Sequence, residues 1–192
     1  AIYDKVATDA KNDFIDLLKI PETHDVLFLQ GGATYQFAMI PMNFGSINKK
    51  ADYVLSGTWS KKAISEASKL INVNTIASSE DSNFSYAPNP LDWNVSDDAS
   101  YVHYCPNETI QGVAIHKIPE IKKPLIADMS SVILSEPLDV SKYSLIYAGA
   151  QKNIGPAGLT MVIVDKNYME GEDDTLPNIL RYSKHSQAGS ML

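Results

Sequence analysis

Three observations in the sequence predict an α/β fold: a three-layer α/β/α arrangement around a mostly parallel sheet of about seven strands. Seven short apolar runs recur along the 192 residues, each bounded by turn residues. Stretches of helical periodicity or long connections separate them, as parallel pairing requires. Polar, glycine-bearing or aromatic residues follow the runs directly, at the positions where such sheets gather ligands.

The elements follow in order. The opening IYDKVATDAKNDFIDLLKI puts Tyr3, Ala7, Ala10, Phe14, Leu17 and Leu18 on one helical face. It lacks an N-cap signal, so the chain opens inside a helix. PETHD is a turn and VLFLQ (26–30) the first strand. GGATYQFAMIPMNF starts on two glycines and becomes a helix ending near Pro41. After the loop NFGSINKK, ADYVLSG is the second strand. TWSKKAISEASKL is an amphipathic helix with Thr58 as N-cap and Trp59, Ala63, Ala67 and Leu70 on one face. NVNTIAS is the third strand. The polar stretch 78–100 is loop plus a short helix around DWNVSDDA. YVHYCPN, PLIADMSS, SLIYAGA and GLTMVIV complete the seven.

Composition narrows the function. A 44% apolar content suffices for one sizeable core, so residues 1–192 form a single domain. No apolar run approaches a membrane span, and a net charge of −7 without a basic stripe argues against nucleic acid. Cys105 is the only cysteine, which fits a reducing compartment, and the cytoplasm is the expected setting. NILRYSKHSQAGSML ends without a cap, so the chain reads as the large domain of a longer polypeptide.

The sharpest local feature is AGAQKNIGPAGL (148–159). Lys152 follows a buried strand and precedes a loop too rich in Gly and Pro for helix, which places it near the interior. An ammonium there is costly unless paired, neutral or covalently used. A desolvated lysine amine is nucleophilic and suits Schiff-base chemistry. Gly31 and Gly32 open a helix whose backbone N–H groups can close on an anion, although the pair alone also fits a tight turn. Trp59 offers an aromatic face at a strand-to-helix junction or is a core residue. Thr109 bonds a ligand or caps its turn. Asp128 is a strand-end carboxylate or a turn former in DMSS.

One cofactor draws these features together. Pyridoxal 5′-phosphate needs a helix start for its phosphate, a stacking partner for its ring, a carboxylate for its pyridine nitrogen and a lysine for its aldehyde.

The runs GGATYQFAMIPMNF, ADYVLSGTWSKKAI, YVHYCPNETIQGVAI, IADMSS and YAGAQKNIGPAGLTMVIV resemble the phosphoserine aminotransferase family over nearly the whole chain. That family lies within the class V, fold-type I pyridoxal-phosphate enzymes. The resemblance implies that Lys152 is the Schiff-base lysine and Asp128 the partner of the pyridine nitrogen. It implies that Trp59 stacks on the ring, that Thr109 bonds near the phenolic oxygen, and that Gln151 with the amides of Ala33 and Thr34 holds the phosphate. The implied reaction converts 3-phosphohydroxypyruvate and L-glutamate to O-phospho-L-serine and 2-oxoglutarate. It belongs to serine biosynthesis, with a related step in vitamin B6 synthesis in some bacteria. A homodimer completing the site is implied as well. Some family members carry Arg where this chain has Thr34. The family holds its anionic substrates with arginines of an N-terminal segment and a C-terminal small domain, whereas Arg181 is the only arginine here and lies away from the strand ends. The alternatives are another class V aminotransferase and a non-catalytic α/β module for a phosphorylated metabolite, with Lys152 as an ion-pairing residue.

His103 and Cys105 read as core residues, since no metal-ligand spacing includes them. His24, His116 and His185 read as solvated, and EGEDD (170–174) as a solvated loop.

Overall fold

In the computed structural model, which describes residues 2–45 and 48–192, the strand β8 (Leu145–Gly149) shows why the molecule is built on a sheet. All five of its residues are buried. Leu145 and Tyr147 enter one apolar cluster, Ile146 and Ala148 another. A run that is apolar on both faces must be covered on both.

The strand order is β1-β9-β8-β7-β4-β2-β3. Besides β8, the sheet holds β1 (His24–Gln30), β2 (Lys50–Leu55), β3 (Asn72–Ser78), β4 (Val102–Tyr104), β7 (Leu125–Asp128) and β9 (Leu159–Asp165). Only β9 runs against the others, pairing antiparallel with β1 and β8. The seven expected runs are these seven strands. The CPNETIQG region adds a small hairpin, β5 (Asn107–Glu108) with β6 (Val113–Ala114), that the sequence reading did not separate from a loop.

One face of the sheet is covered by α2 (Gly32–Phe44) and α3 (Thr58–Ala67), with α4 (Lys166–Met169) and α5 (Tyr182–Gln187) beside them. The other is covered by α1 (Ile2–Leu18) and by irregular chain around Trp93, Met129, Ile133 and Tyr143. α2 continues through Pro41 to Phe44, past its expected end. Burial of Phe37, Met39, Ile40 and Phe44 outweighs the proline penalty, about 3 kcal/mol in a helix interior. In α1 the buried side is Phe14, Ile15 and Leu18, while Tyr3 and Leu17 of the expected face are exposed. Thr58 is the first residue of α3 rather than its cap, which is Gly57. Ser46 and Ile47, in the expected loop before β2, and Ala1, at the expected helical opening, lie outside the described residues.

The expected helix around DWNVSDDA is absent; a single 3-10 turn at Pro90–Asp92 precedes extended chain. Asp52, on β2, accepts from the Ser96 amide (2.6 Å) and hydroxyl (2.9 Å), so a side chain takes bonds a helix would have used. His24 and His185 are buried, bonded to the carbonyls of Tyr143 and Ile179, both at 2.8 Å, rather than solvated. Glu172 of the acidic stretch is buried too, paired with Arg181 at 2.8 Å. No helix among the described residues is long and apolar enough to cross a membrane.

Candidate active site

The carboxyl ends of β1, β8, β7, β4 and β2 share one edge of the sheet. Two helices start there, α2 after β1 and α3 after β2, each with unpaired backbone N–H groups and a positive dipole end.

The start of α3 is already filled. Glu108, fully buried on β5, accepts from the amides of Trp59 (2.9 Å) and Ser60 (2.8 Å). Gln111 accepts from the amide of Thr58 at 3.1 Å. The protein's own carboxylate therefore plays the anion at this helix.

The start of α2 is open. Its N-cap, Gly31, has φ 99, a left-handed conformation that glycine adopts without strain, and no side chain caps the helix. Gly149 at the end of β8 lets the backbone come close: a Cβ there would stand 3.3 Å from the Ala33 nitrogen and 2.9 Å from Gln151 Oε1. Ala33, Thr34 and Gln151 thus surround an uncapped helix start whose amides are free to meet an anion.

Asp128 ends β7 and is 6% exposed. Its Oδ1 accepts from the Ser130 amide (3.0 Å) and hydroxyl (2.6 Å), the turn that DMSS suggested. Ser130 Oγ in turn accepts from the Gly149 amide at 2.9 Å, tying this carboxylate to the α2 side of the cleft. Burial raises the proton affinity of the Asp128 carboxyl; bonds from Ser130 and Tyr147 oppose the shift without cancelling it. Among the described residues, no lysine or arginine forms an ion pair with it.

Trp59 is fixed at its backbone by Glu108 and at its edge by Thr109, whose Oγ1 accepts from the indole Nε1 at 3.2 Å. Lys152 Nζ lies 5.5 Å from the Trp59 ring centroid, and Lys62 Nζ lies 4.6 Å from it. Lys152 is exposed, contrary to the expectation of a near-interior position, because the turn after Ala150 carries it out to the cleft mouth.

Ala33, Thr34, Trp59, Thr109, Asp128, Gln151 and Lys152 line one cleft of about 90 Å³, together with Phe37, Cys105, Asn107, Ser130 and Ser131. The sequence reading missed Ser130 and Glu108. The Asp-x-Ser spacing within DMSS was a usable signal for Ser130; nothing local marked Glu108. A larger hollow of about 320 Å³ opens beyond Asn107 and Ser131, under the 129–138 turn. It has neither a lysine nor an open helix start, so volume does not identify the chemistry here.

A mostly parallel sheet with a lysine, a buried carboxylate and an open helix start at one edge defines an α/β frame of the class that gathers ligands at its strand ends. The chain belongs to the class-V aminotransferase family, whose model matches residues 3–176. Among named relatives, it is 50% identical over 188 residues to the phosphoserine aminotransferase of Hahella chejuensis, covering 97% of this chain and 52% of that protein. The solved structure of phosphoserine aminotransferase from Bacillus circulans subsp. alkalophilus superposes with a TM-score of 0.95 at 43% identity, over 100% of this chain and 53% of that one. A pyridoxal-phosphate-bound phosphoserine aminotransferase from Trichomonas vaginalis gives 0.92 at 38%, over 98% and 57%. The chain spans about half the length of the curated relatives it matches.

Proposed function

We propose that this chain is the cofactor-binding large domain of a phosphoserine aminotransferase, interconverting 3-phosphohydroxypyruvate plus L-glutamate and O-phospho-L-serine plus 2-oxoglutarate. The observation that carries this reading is the convergence of an uncapped helix start, a buried carboxylate without a cation and a lysine over an indole face in one cleft.

Those residues fit pyridoxal phosphate. The α2 amides of Ala33 and Thr34, with the Gln151 side chain, take the phosphate, since Glu108 already occupies the α3 start. The Trp59 face would stack on the ring, and Thr109 would bond at its phenolic side. Asp128 accepts from the ring nitrogen and gains the positive partner that its buried carboxylate lacks. When bound, the cofactor supplies an electrophilic aldehyde and a ring that withdraws the electron pair released when the substrate Cα loses its proton. Lys152 would hold the group by its aldehyde, and its Nζ would be the base that takes the substrate Cα proton.

Arg181 does not serve the substrate in this reading, because its Nε is bound to Glu172. The substrate's carboxylates and phosphate are met by groups other than an arginine of residues 1–192, and a second copy completing the site as a homodimer is consistent with that need. A cytoplasmic enzyme of amino-acid biosynthesis is the setting this chemistry fits.

Borohydride reduction of the full-length protein in the presence of pyridoxal phosphate, followed by peptide mapping, tests the reading. A pyridoxyl adduct on Lys152, lost in Lys152→Ala, is the expected result. Binding without an adduct points to a non-catalytic phosphometabolite module, and an adduct on another lysine overturns the assignment of Lys152. Turnover of O-phospho-L-serine but not L-alanine by the loaded protein separates this enzyme from other class V aminotransferases.

A further inference from the structure

Behind Asp128, on the α2 and α3 face of the sheet, lies a buried polar line that the proposed reaction does not use. His103 on β4 and Tyr147 on β8 are 2% and 0% exposed, and β7, which carries Asp128, runs between their strands. His103 Nε2 and Tyr147 Oη lie 2.8 Å apart. Tyr147 is the register partner of Asp128 on the adjacent parallel strand, so the two side chains share one face of the sheet, and the phenol favours the charged form of the Asp128 carboxyl. The imidazole stacks between the rings of Tyr53, at 4.8 Å, and Tyr147, at 5.9 Å.

The direction of this line follows from one unsatisfied atom. His103 Nδ1 is buried and has no hydrogen-bond partner. An orphaned N–H is rarer in protein interiors than an acceptor with a free lone pair, so the proton belongs on Nε2. His103 Nε2–H then donates to Tyr147 Oη, leaving the phenol proton for the carboxylate, which only accepts. Desolvation lowers the imidazole pKa to about 3 and raises that of the phenol well above its usual value, so both donors stay neutral at physiological pH.

Resting on the pyridoxal-phosphate reading above, we propose that His103 and Tyr147 are positioning residues: a one-way hydrogen-bond line that ends on Asp128, holds its carboxylate in the anionic form and so keeps the cofactor's ring nitrogen protonated. Bonds that run in one direction reinforce one another in a low-dielectric interior. Ser130 fixes where the carboxylate points; the His103–Tyr147 line sets how firmly it stays charged.

The test is a pH titration of the visible band of the loaded full-length protein, beside its thermal unfolding. In Tyr147→Phe, Asp128 competes better for the ring proton, the ring withdraws less, and the nitrogen joining Lys152 to the cofactor becomes more basic. The titration midpoint should rise by roughly half a pH unit or more, a fraction of what one lost bond to a charged group is worth at the carboxylate itself. His103→Phe, which keeps an aromatic ring in the stack, should move it the same way by less, and His103→Gln, which restores an N–H donor, should return it towards wild type. If Tyr147→Phe does not fold, the His103 pair gives the answer. In the cofactor-free protein, ¹⁵N shifts should find His103 neutral with its proton on Nε2; a proton on Nδ1 overturns the direction of the line. Absence of any visible band in wild type overturns the cofactor reading and this inference with it. A normal wild-type band with midpoints unmoved in the variants, even with lowered unfolding temperatures, reduces the pair to core packing and overturns this inference alone.

Discussion

Burial works against the charge of Asp128. Burial raises its carboxyl pKa above the ordinary 3.8 of the unfolded chain. Between that value and the raised folded one, the native state binds more protons than the unfolded state, so stability falls as pH rises through the window and stays lowered above it. Asparagine carries no such charge. Cofactor-free Asp128→Asn should therefore be more stable than wild type at neutral pH, with the difference vanishing below about pH 3.8, in thermal melts across the acid range. Affinity for pyridoxal phosphate should fall by roughly two orders of magnitude, because the ring cation loses its buried partner. A variant that is less stable at every pH would mean that the Ser130 turn matters more than the charge. The carboxylate at a strand end was legible in IADMSS. Its burial was not, because the residues that enclose it, Tyr147 on β8 and Cys105 just after β4 among them, come from distant parts of the chain.

The two helix starts show how one kind of element takes two roles. Both follow strands and both begin beside glycines, yet Glu108 closes α3 and nothing closes α2. Glu108→Gln should expose the difference. An amide offers one acceptor where the carboxylate offers two, and its NH₂ group would face the Trp59 or Ser60 amide. The expected cost is about 2 kcal/mol in chemical denaturation, with weaker cofactor binding as Trp59 loosens. Unchanged stability would show that water replaces the carboxylate. Nothing in the sequence alone separates the two helix starts, because Glu108 lies 49 residues from Trp59 and reaches it through the β5–β6 hairpin. Elements with a strong period of their own were legible, as in α3 and β8. Those governed by distant side chains were not, as in the stretch that Asp52 captures around Ser96.

At the scale of the whole molecule, the last segment is locked onto α2. Tyr182 Oη donates to Gln36 Oε1 at 2.6 Å, Asn43 Nδ2 to the Leu180 carbonyl at 2.8 Å, and the Asp173 amide to the Asn43 carbonyl at 2.9 Å. The pair of half-buried Arg181 with buried Glu172 closes this clasp, with Ser183 also donating to Glu172 from its amide and hydroxyl. Arg181→Met would strand a buried carboxylate, and urea unfolding should show a loss of about 3–5 kcal/mol. The double variant with Glu172→Gln should recover part of it, since the uncompensated charge is gone. No recovery would place the cost in the lost packing of the arginine stem.

By itself the sequence determined the class of fold, the order of the seven sheet strands along the chain and the strand-end positions where ligand chemistry gathers. These depend on local periodicity and on residues a few positions apart, and the aminotransferase resemblance rests on the same blocks. Only the tertiary structure decided which helix start is free to take an anion, that the single arginine is tied to Glu172, and that a histidine and a tyrosine stand behind Asp128. Each of these is a contact across 9 to 49 residues, made by strands and loops brought side by side. A buried charge or hydrogen bond is set by what the fold places around it, and chain spacing does not carry that information.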